Sequence, residues 1–187
     1  MPEKKETFFV KIVDSIADVA ETFTVSVLLF LFVYAFLAFP EIVVGASMDP
    51  TLNNGHRLLV ERLSVRFNKL KRGDIIIFNP PGSDGIDFVK RIVGVSGETL
   101  VIKNCRVYLV EGSVEKVIEE PYINSSKVCT TYSSEKLIKV PGDSFFVLGD
   151  NRQQSADSRV FSFLKKERIG GRVFLRFWPL TKLKLFL

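Results

Sequence analysis

The sequence has very few of the residues that bind metals or build disulfide frameworks. It contains a single histidine, His56, and only two cysteines, Cys105 and Cys129. These residues show no zinc-ligand spacing, and the chain has no phosphate-binding glycine loop and no RNA-binding signature. We therefore expect no metal, no organic cofactor and no nucleic-acid partner. The two cysteines could pair with each other outside the cytoplasm, or Cys105 could equally be a buried thiol.

Negative charge is also in deficit, since the formal net charge is +5 at pH 7. The first 21 residues carry three lysines against five acids, so the remainder of the chain carries +7. A basic surface can bind nucleic acid. On a chain with a membrane anchor, the anionic headgroups of lipids are the simpler partner. We therefore predict contact with membrane lipid.

One long run contains no charge at all. It covers 18 residues, Thr22–Phe39, close to the ~20 that cross a bilayer as a helix. We predict a transmembrane anchor over 22–39, after an amphipathic tail over 1–21 that lies along the membrane or extends the helix. The tail's lysines place the N-terminus in the cytoplasm and the rest of the chain outside it, at the plasma or inner membrane. A small-x-small site at 44–46 permits cleavage, but the run exceeds a signal-peptide core, which favours an uncleaved anchor.

Beyond Pro40 the pattern changes to short β-branched and aromatic runs separated by turn residues. Such runs are typical of strands, and eight are present: "EIVVGA", "HRLLVERL", "DIIIFN", "DFVKRIVGV", "TLVIKN", "RVYLVEG", "SFFVLGD" and "RVFLRFW". Only "FSFLKKERIG" indicates a short helix. The predicted fold class is mainly β, with an antiparallel β domain over 40–187 anchored by one N-terminal transmembrane helix.

A serine, Ser47, lies in the stretch "VVGASMDPTL" just after the apolar run. A serine hydroxyl is a weak nucleophile until a base takes its proton. His56 is close in sequence, but its setting in "NNGHRLL" predicts a surface turn histidine. Lys90 is the better candidate, because "DFVKRIV" places it in an apolar strand where burial would lower its pKa. Alternation along the strand lets Lys90 point inward while Arg91 stays in water.

Four stretches resemble type I signal peptidase, a membrane-bound Ser–Lys protease family, and they come in the family's order. They are "SMDPTL" (47–52), "RGDIIIF" (72–78), "KRIVGVSGE" (90–98) and "GDNRQQSADSR" (149–159). The stretch "RFWP" near the end is also similar. The resemblance implies that Ser47 is the nucleophile, that Lys90 is the general base and that Ser155 hydrogen-bonds the lysine amine. Gly45 stands where some members carry a serine that helps to hold the oxyanion.

The resemblance also implies supporting residues around the reacting pair. Asp157 and Arg159 would form a structural ion pair, and the residues that hold the turn would be Asp150, Asn151 and Arg152. Shallow apolar pockets for small substrate residues would be lined by Val43, Val44, Met48, Leu52 and Val89. Residues 99–140 would form a cap subdomain with little catalytic content.

The implied activity is removal of N-terminal signal peptides from exported preproteins, by cutting after small residues of the Ala-x-Ala type through an acyl-enzyme. The implied partners are these preproteins and membrane lipid, and the reaction needs no cofactor. A specialised relative that matures one pilin or transfer protein is an open alternative. A self-cleaving Ser–Lys repressor shares the pair but has neither an anchor nor the last box. A non-catalytic membrane-anchored β binding module would leave the four boxes unexplained.

Overall fold

The structure, a computed structural model, describes residues 3–82, 85–104, 106–123 and 134–186. Both cysteines lie outside these residues, so the two alternatives for them stay predictions. The chain divides into two compact units, Met1–Ala38 and Phe39–Leu187.

The first unit is a single long helix. Helix α1 covers Glu3–Phe32 and continues as one π-helical turn over Val33–Leu37. The stretch Val10–Phe32 is long and apolar enough to cross a membrane. It begins and ends earlier than the predicted anchor over 22–39. The helix itself runs through the tail without a break, because no glycine or proline lies between the tail and the apolar run. The helical part ends before residue 38, since Pro40 disfavours helical backbone just before it.

The second unit is built from strands with short helical turns between them. Its strands are β1 (Ala38–Ile42), β2 (Arg57–Glu61), β3 (Ile75–Phe78), β4 (Phe88–Gly94), β5 (Thr99–Lys103), β6 (Arg106–Glu111), β7 (Val114–Val117), β8 (Ser134–Lys139), β9 (Ser144–Leu148), β10 (Leu164–Lys165), β11 (Ile169–Trp178) and β12 (Lys184–Leu185). Its helical pieces are α2 (Leu63–Arg66), α3 (Ser158–Phe161) and two 3-10 turns, Lys166–Arg168 and Leu180–Lys182.

The strands form two sheets. The first sheet has the order β1-β2-β11-β3-β4-β9-β10, with β12 paired to β11. Its pairings from β2 to β10 are antiparallel. The second sheet has the order β7-β6-β5-β8 and is also antiparallel. It is formed by residues within the stretch predicted as a cap. The predicted mainly β, antiparallel fold class with one N-terminal apolar helix is confirmed.

Apolar side chains fill three clusters on the faces of these sheets. One cluster lies under the loop that carries Ser47 and is formed by Val43, Met48, Leu52, Leu58, Val60, Ile75, Ile77 and Val173. A second lies between β4, β9 and the second sheet and includes Val93, Leu100 and Leu148. The third includes Ile76, Phe78 and Ile92. Strand β4 contributes to the last two clusters, and the inner residues of this strand are therefore covered on both faces.

Seven of the eight predicted strands are present in place, and β1 overlaps the eighth, "EIVVGA", only at Glu41 and Ile42, because the chain leaves the sheet there to form the loop that carries Ser47. The predicted short helix in "FSFLKKERIG" is reduced to one 3-10 turn. Helix α3 ends at Phe161, and Ser162 has a φ of 71° that a continuing helix does not allow. The rest of the stretch forms β10 and the 3-10 turn Lys166–Arg168. The four strands that the sequence did not predict, β7, β8, β10 and β12, are short or exposed, so their apolar pattern is weak.

Candidate active site

Ser47 lies in the tight loop between β1 and β2. Its neighbour Met48 is anchored in the core, where Leu52 donates its backbone N–H to the Met48 carbonyl at 2.8 Å. Gly45 has a φ of 96°, a conformation that favours glycine, and its N–H donates to Asn54 Oδ1 at 3.0 Å. The loop is thus fixed on both sides of Ser47, whose side chain stays half-buried at the surface.

Lys90 reaches Ser47 from strand β4. Its Nζ lies 2.8 Å from Ser47 Oγ and 2.9 Å from the carbonyl oxygen of Val89. The ring of Phe88, two residues earlier and therefore on the same face of the strand, lies 5.0 Å from the amine. Lys90 is only 3% exposed. The structure therefore brings the predicted nucleophile and base into direct contact in an apolar setting.

The surroundings of the amine change its basicity. Burial lowers the pKa of Lys90 from 10.5 to about 8, and the carboxylates of Asp157 and Asp150 partly oppose this by favouring the charged form. With such a pKa, roughly one amine in ten is neutral at pH 7, and an ordinary lysine has far fewer. A neutral amine can accept the proton of a serine hydroxyl.

The turn that follows β9 also holds the Ser47 loop in place, through hydrogen bonds from Asn151. The backbone N–H of Asn151 donates to the Ser47 carbonyl at 3.0 Å, and its side-chain amide donates to the Ala46 carbonyl at 3.0 Å. The two segments also lie close together at Gly149. A Cβ on Gly149 would clash with Ser155 Oγ and would lie 2.5 Å from the Ser47 carbonyl oxygen. The sequence analysis missed Gly149, although it opens the last of the four boxes.

Ser155 lies beside Gly149 but does not hydrogen-bond the lysine amine. Its Oγ is buried and has no hydrogen-bond partner among the described residues. The predicted Ser155–Lys90 hydrogen bond is therefore not made in this structure. The amine is engaged instead by Ser47 and by the carbonyl of Val89.

Asp157 and Arg159 lie where the segment that begins with this turn enters helix α3. Two parallel bonds of 2.8 Å join the Arg159 guanidinium to the Asp157 carboxylate. The same carboxylate accepts the Gly149 N–H at 3.0 Å and the Arg159 backbone N–H at 3.2 Å, which caps helix α3. Because Asp157 is fully buried, its charge depends on these partners. The pair thus fixes the glycine that touches the Ser47 loop.

The prediction that Arg91 stays in water is wrong. It is 7% exposed, and its guanidinium makes two bonds to the Asp150 carboxylate, at 2.9 and 2.6 Å. It also donates to the Gly73 carbonyl at 2.8 Å. Its side chain is covered by the ring of Tyr122, whose centroid lies 3.8 Å from the guanidinium carbon. Alternation placed the two side chains of β4 on opposite faces, but both faces are covered.

Arg152 completes the turn and reaches the segment after β7. Its Nε donates to the Gly149 carbonyl at 3.2 Å, and its guanidinium forms a buried ion pair with Glu120. Glu120 also accepts a hydrogen bond from the hydroxyl of Tyr122 at 2.8 Å. Glu120 and Tyr122 are part of the stretch expected to have little catalytic content. The structure instead connects them to the turn that contacts Ser47.

Three of the predicted substrate-pocket residues are core residues. Met48 and Leu52 are 1% and 0% exposed, and Val43 is also buried in the same cluster. In this arrangement they offer no surface to a substrate, which corrects their assignment. A β core uses the same residue types as an apolar pocket, so the sequence did not separate the two. Val44, which is 87% exposed, and the half-buried Val89 remain accessible beside Ser47 and Lys90.

His56 is buried, which corrects its assignment as a surface residue. Its Nδ1 accepts the backbone N–H of Asn53 at 3.0 Å and so shapes the turn before β2. Burial lowers the pKa of His56, and the nearby charges of Arg176 and Lys182 lower it further, against a smaller opposing effect of Asp49. A neutral imidazole therefore has a structural role in this turn, and Lys90 is the group that contacts Ser47. Within the described ranges no cluster of three His, Cys, Asp or Glu side chains could hold a metal ion.

Comparison with known proteins identifies the family. A family model described as signal peptidase, peptidase S26, matches residues 16–178. The chain belongs to this signal peptidase family. It is 34% identical over 175 residues to a probable signal peptidase I-2 of Synechocystis, covering 90% of this chain and 76% of the relative. It is 39% identical over 170 residues to a signal peptidase I of Leptolyngbya laminosa, covering 87% and 80%.

The chain is also similar to a solved structure. The solved structure is a signal peptidase I of Enterococcus faecalis V583, which is 31% identical, with 55% of this chain and 95% of that chain covered and a TM-score of 0.44. The family assignment rests on the sequence matches, and these confirm the predicted class of enzyme, a signal peptidase.

Proposed function

We propose that this enzyme removes N-terminal signal peptides from exported preproteins, with Ser47 as nucleophile and Lys90 as general base. The observation that supports this most directly is the 2.8 Å contact between Lys90 Nζ and Ser47 Oγ. The lysine is buried and its pKa is about 8, which suits a base that works near neutral pH. The family's members are called signal peptidases, and preproteins are accordingly the proposed substrates.

The reaction follows from this pair. Neutral Lys90 accepts the hydroxyl proton as Ser47 Oγ attacks the carbonyl carbon of the scissile peptide bond. The tetrahedral intermediate collapses to an acyl-enzyme, and the ammonium of Lys90 gives its proton to the departing amine of the mature protein. Lys90 then activates a water molecule that hydrolyses the ester and releases the signal peptide. The chain's own groups supply every proton transfer.

The negative charge that develops on the carbonyl oxygen needs hydrogen-bond donors. Among the hydrogen bonds of the described residues, none uses the backbone N–H of Ser47, and this group is the proposed donor. Gly45 supplies no side chain, so the substrate backbone can approach the loop closely. The bonds from Asn151 to the carbonyls of Ala46 and Ser47 hold the loop while this charge forms.

The substrate is proposed to bind as an extended strand. Strand β1 lies at the end of the first sheet and offers a free edge. Among the strand pairings of the described residues, residues 88–90 of β4 pair with β3 alone, because the pairing of β4 with β9 begins at Arg91. The cleavage region would lie along these edges, with Val44 and Val89 against its small side chains. Larger side chains would clash there, which accounts for the proposed preference for Ala-x-Ala sites.

The location in the membrane is part of the proposal. The apolar helix Val10–Phe32 would anchor the enzyme in the plasma or inner membrane. The tail lysines favour a cytoplasmic N-terminus and an extracytoplasmic catalytic domain. A nucleophile that follows an anchor so closely would meet a bond lying just past a membrane-embedded signal helix.

The test is cleavage of a purified preprotein with an Ala-x-Ala site, in detergent or lipid, by wild type, Ser47→Ala and Lys90→Ala. We expect wild type to cut after the final alanine and both variants to be inactive but folded. Ser96→Ala, which removes an exposed serine from the turn after β4, is the matched control and should retain wild-type activity. Cleavage by Ser47→Ala would show that another group is the nucleophile. A wild type that leaves general preproteins intact would favour a specialised relative.

A further inference from the structure

The segment Glu120–Ile123, in the stretch after β7, reaches the first sheet, where its side chains contact Arg91 and Arg152. We call this segment the strap. Glu120 forms the buried ion pair with Arg152, and the ring of Tyr122 stacks on the guanidinium of Arg91 at 3.8 Å. The hydroxyl of Tyr122 donates to Glu120 at 2.8 Å, so the two strap side chains are also joined to each other. The mechanism proposed above uses neither of them.

The strap contacts are too buried to be ordinary surface pairs. The side chains of Glu120, Arg152, Arg91 and Asp150 are all largely removed from water. Burying an ion costs several kcal/mol unless partners compensate for the lost water, so these groups depend on their partners for position. Burial and the adjacent carboxylate of Glu120 raise the pKa of Tyr122, so its hydroxyl remains a proton donor. Stacking of a guanidinium on a tyrosine ring adds a further attraction.

Each arginine is connected to the reacting pair, either by its place in the sequence or by hydrogen bonds. Arg91 is the residue after Lys90 on β4, and it holds Asp150 by two hydrogen bonds. Arg152 holds the carbonyl of Gly149 at 3.2 Å. Asn151, which lies between Asp150 and Arg152 in the sequence, donates its backbone N–H to the carbonyl of Ser47. The strap therefore contacts the outer side of the turn whose inner side fixes the nucleophile loop.

We propose that the strap sets the geometry of the Ser47–Lys90 pair, with Glu120 and Tyr122 as positioning residues that act through Arg152 and Arg91. The inference rests on the proposed function. Without the tyrosine ring, Arg91 loses the group that covers it and holds Asp150 less firmly. Arg91 then neutralises the negative charge of Asp150 less, and this charge acts more strongly on Lys90.

The effect on Lys90 has a definite sign. Among the described residues, the charged groups with a resolved effect on its amine are Asp157 and Asp150, both of which favour the protonated form. Asp157 stays paired with Arg159, so only the influence of Asp150 changes. A less compensated Asp150 raises the proton affinity of Lys90. Activity that requires a neutral amine must then appear at higher pH.

The experiment measures kcat, KM and the pH dependence of kcat/KM for full-length Tyr122→Ala, Tyr122→Phe and Glu120→Gln on the same Ala-x-Ala preprotein. Small displacements in an active site cost up to about 100-fold in rate. We expect kcat to fall by about 10- to 100-fold in Tyr122→Ala, with KM within about twofold of wild type. The acid limb of its pH profile should move to higher pH. Tyr122→Phe keeps the ring over Arg91 and should recover most of this loss, and Glu120→Gln should lower kcat without moving KM.

Matched controls come from the second sheet, whose strands β6 and β7 precede the strap. Tyr108→Ala removes a tyrosine on β6 whose ring lies 5.9 Å from the amine of Lys103. Glu115→Gln removes the acid of an exposed pair with the same lysine. Both should keep the wild-type kcat and pH profile. If Tyr122→Ala does not fold, Glu120→Gln decides the matter, because it retains nearly the whole side chain and removes only the charge that pairs with Arg152.

The outcomes separate this inference from the proposed function. Suppose that Ser47→Ala and Lys90→Ala are inactive, while folded Tyr122→Ala and Glu120→Gln match wild type in kcat and Tyr122→Ala keeps the wild-type acid limb. The strap inference is then wrong and the dyad stands. A change in KM alone would also overturn it, because the strap would then act on substrate binding. If Ser47→Ala still cuts, the dyad itself is wrong.

Discussion

Replacing Lys90 by methionine tests whether this amine is buried in its charged form. Methionine keeps most of the length of the side chain and removes the charge. The pKa of Lys90 is about 8 in the folded protein against an ordinary value of 10.5. Each unit corresponds to about 1.36 kcal/mol, so folding disfavours the charged amine by roughly 3 kcal/mol. Wild type carries this penalty at neutral pH, and Lys90→Met does not.

The sign of the pH dependence follows from proton binding. Between about pH 8 and 10.5, an unfolded lysine still holds its proton and the folded Lys90 has lost it. Stability rises with pH wherever the unfolded state binds more protons. The penalty is therefore complete below about pH 8 and is relieved as the pH rises towards 10.5. Relative to Lys90→Met, wild type should gain roughly 2 kcal/mol between pH 7 and pH 9.5.

The assay is urea unfolding of the full-length protein in detergent micelles, followed by the fluorescence of its only tryptophan, Trp178. Lys139→Met, which changes an exposed lysine on β8, is the control, and its stability relative to wild type should not change with pH. Lys90→Met should be inactive at every pH. A Lys90→Met difference that stays constant from pH 7 to pH 9.5 would refute the buried-amine reasoning.

Three further predictions concern the groups around the pair. Gly149→Ala should lower kcat by about 100-fold, because a Cβ there meets the Ser47 loop; Gly142→Ala, with nothing within 4 Å of its Cβ, should be neutral. Asp157→Asn should reduce the free energy of unfolding by about 3–5 kcal/mol, visible as a lower urea midpoint, since it removes the charge of a buried bidentate pair. Wild type should lose stability as the pH falls below 6.5, because the pKa of His56 is lowered and the protonated ring cannot accept the Asn53 N–H; His56→Gln should lack this part of the loss.

Much of the fold, and the contact between Ser47 and Lys90, could be predicted from patterns in the sequence. Short β-branched and aromatic runs between turn residues predicted seven of the main strands in place, because the signal for each strand lies within its own run. Lys90 was predictable because a lysine between Phe88, Val89, Ile92 and Val93 has apolar neighbours whichever way the strand packs. Ser47 was predictable from its box and from its place just after the apolar run.

Other features depended on segments that are distant in sequence. Arg91 is buried because Tyr122 covers it and Asp150 pairs with it, and nothing in "DFVKRIV" indicates either partner. Met48 and Leu52 have the composition of pocket residues, but the loop folds them inward onto β2 and β3. Ser155 lies against Gly149 and makes no hydrogen bond to the lysine, and residue spacing does not encode this difference.

The contacts of the Ser47 loop also determine when the site can exist. The hydrogen bond from Asn151 to Ala46 joins residues 105 positions apart, and the strap and the Asp157–Arg159 pair also come from the later part of the chain. During synthesis the serine and the lysine emerge long before the turn that holds them. A growing chain therefore carries both groups without the contacts that align them, and under the proposed mechanism catalysis would begin only after the last third of the polypeptide has folded.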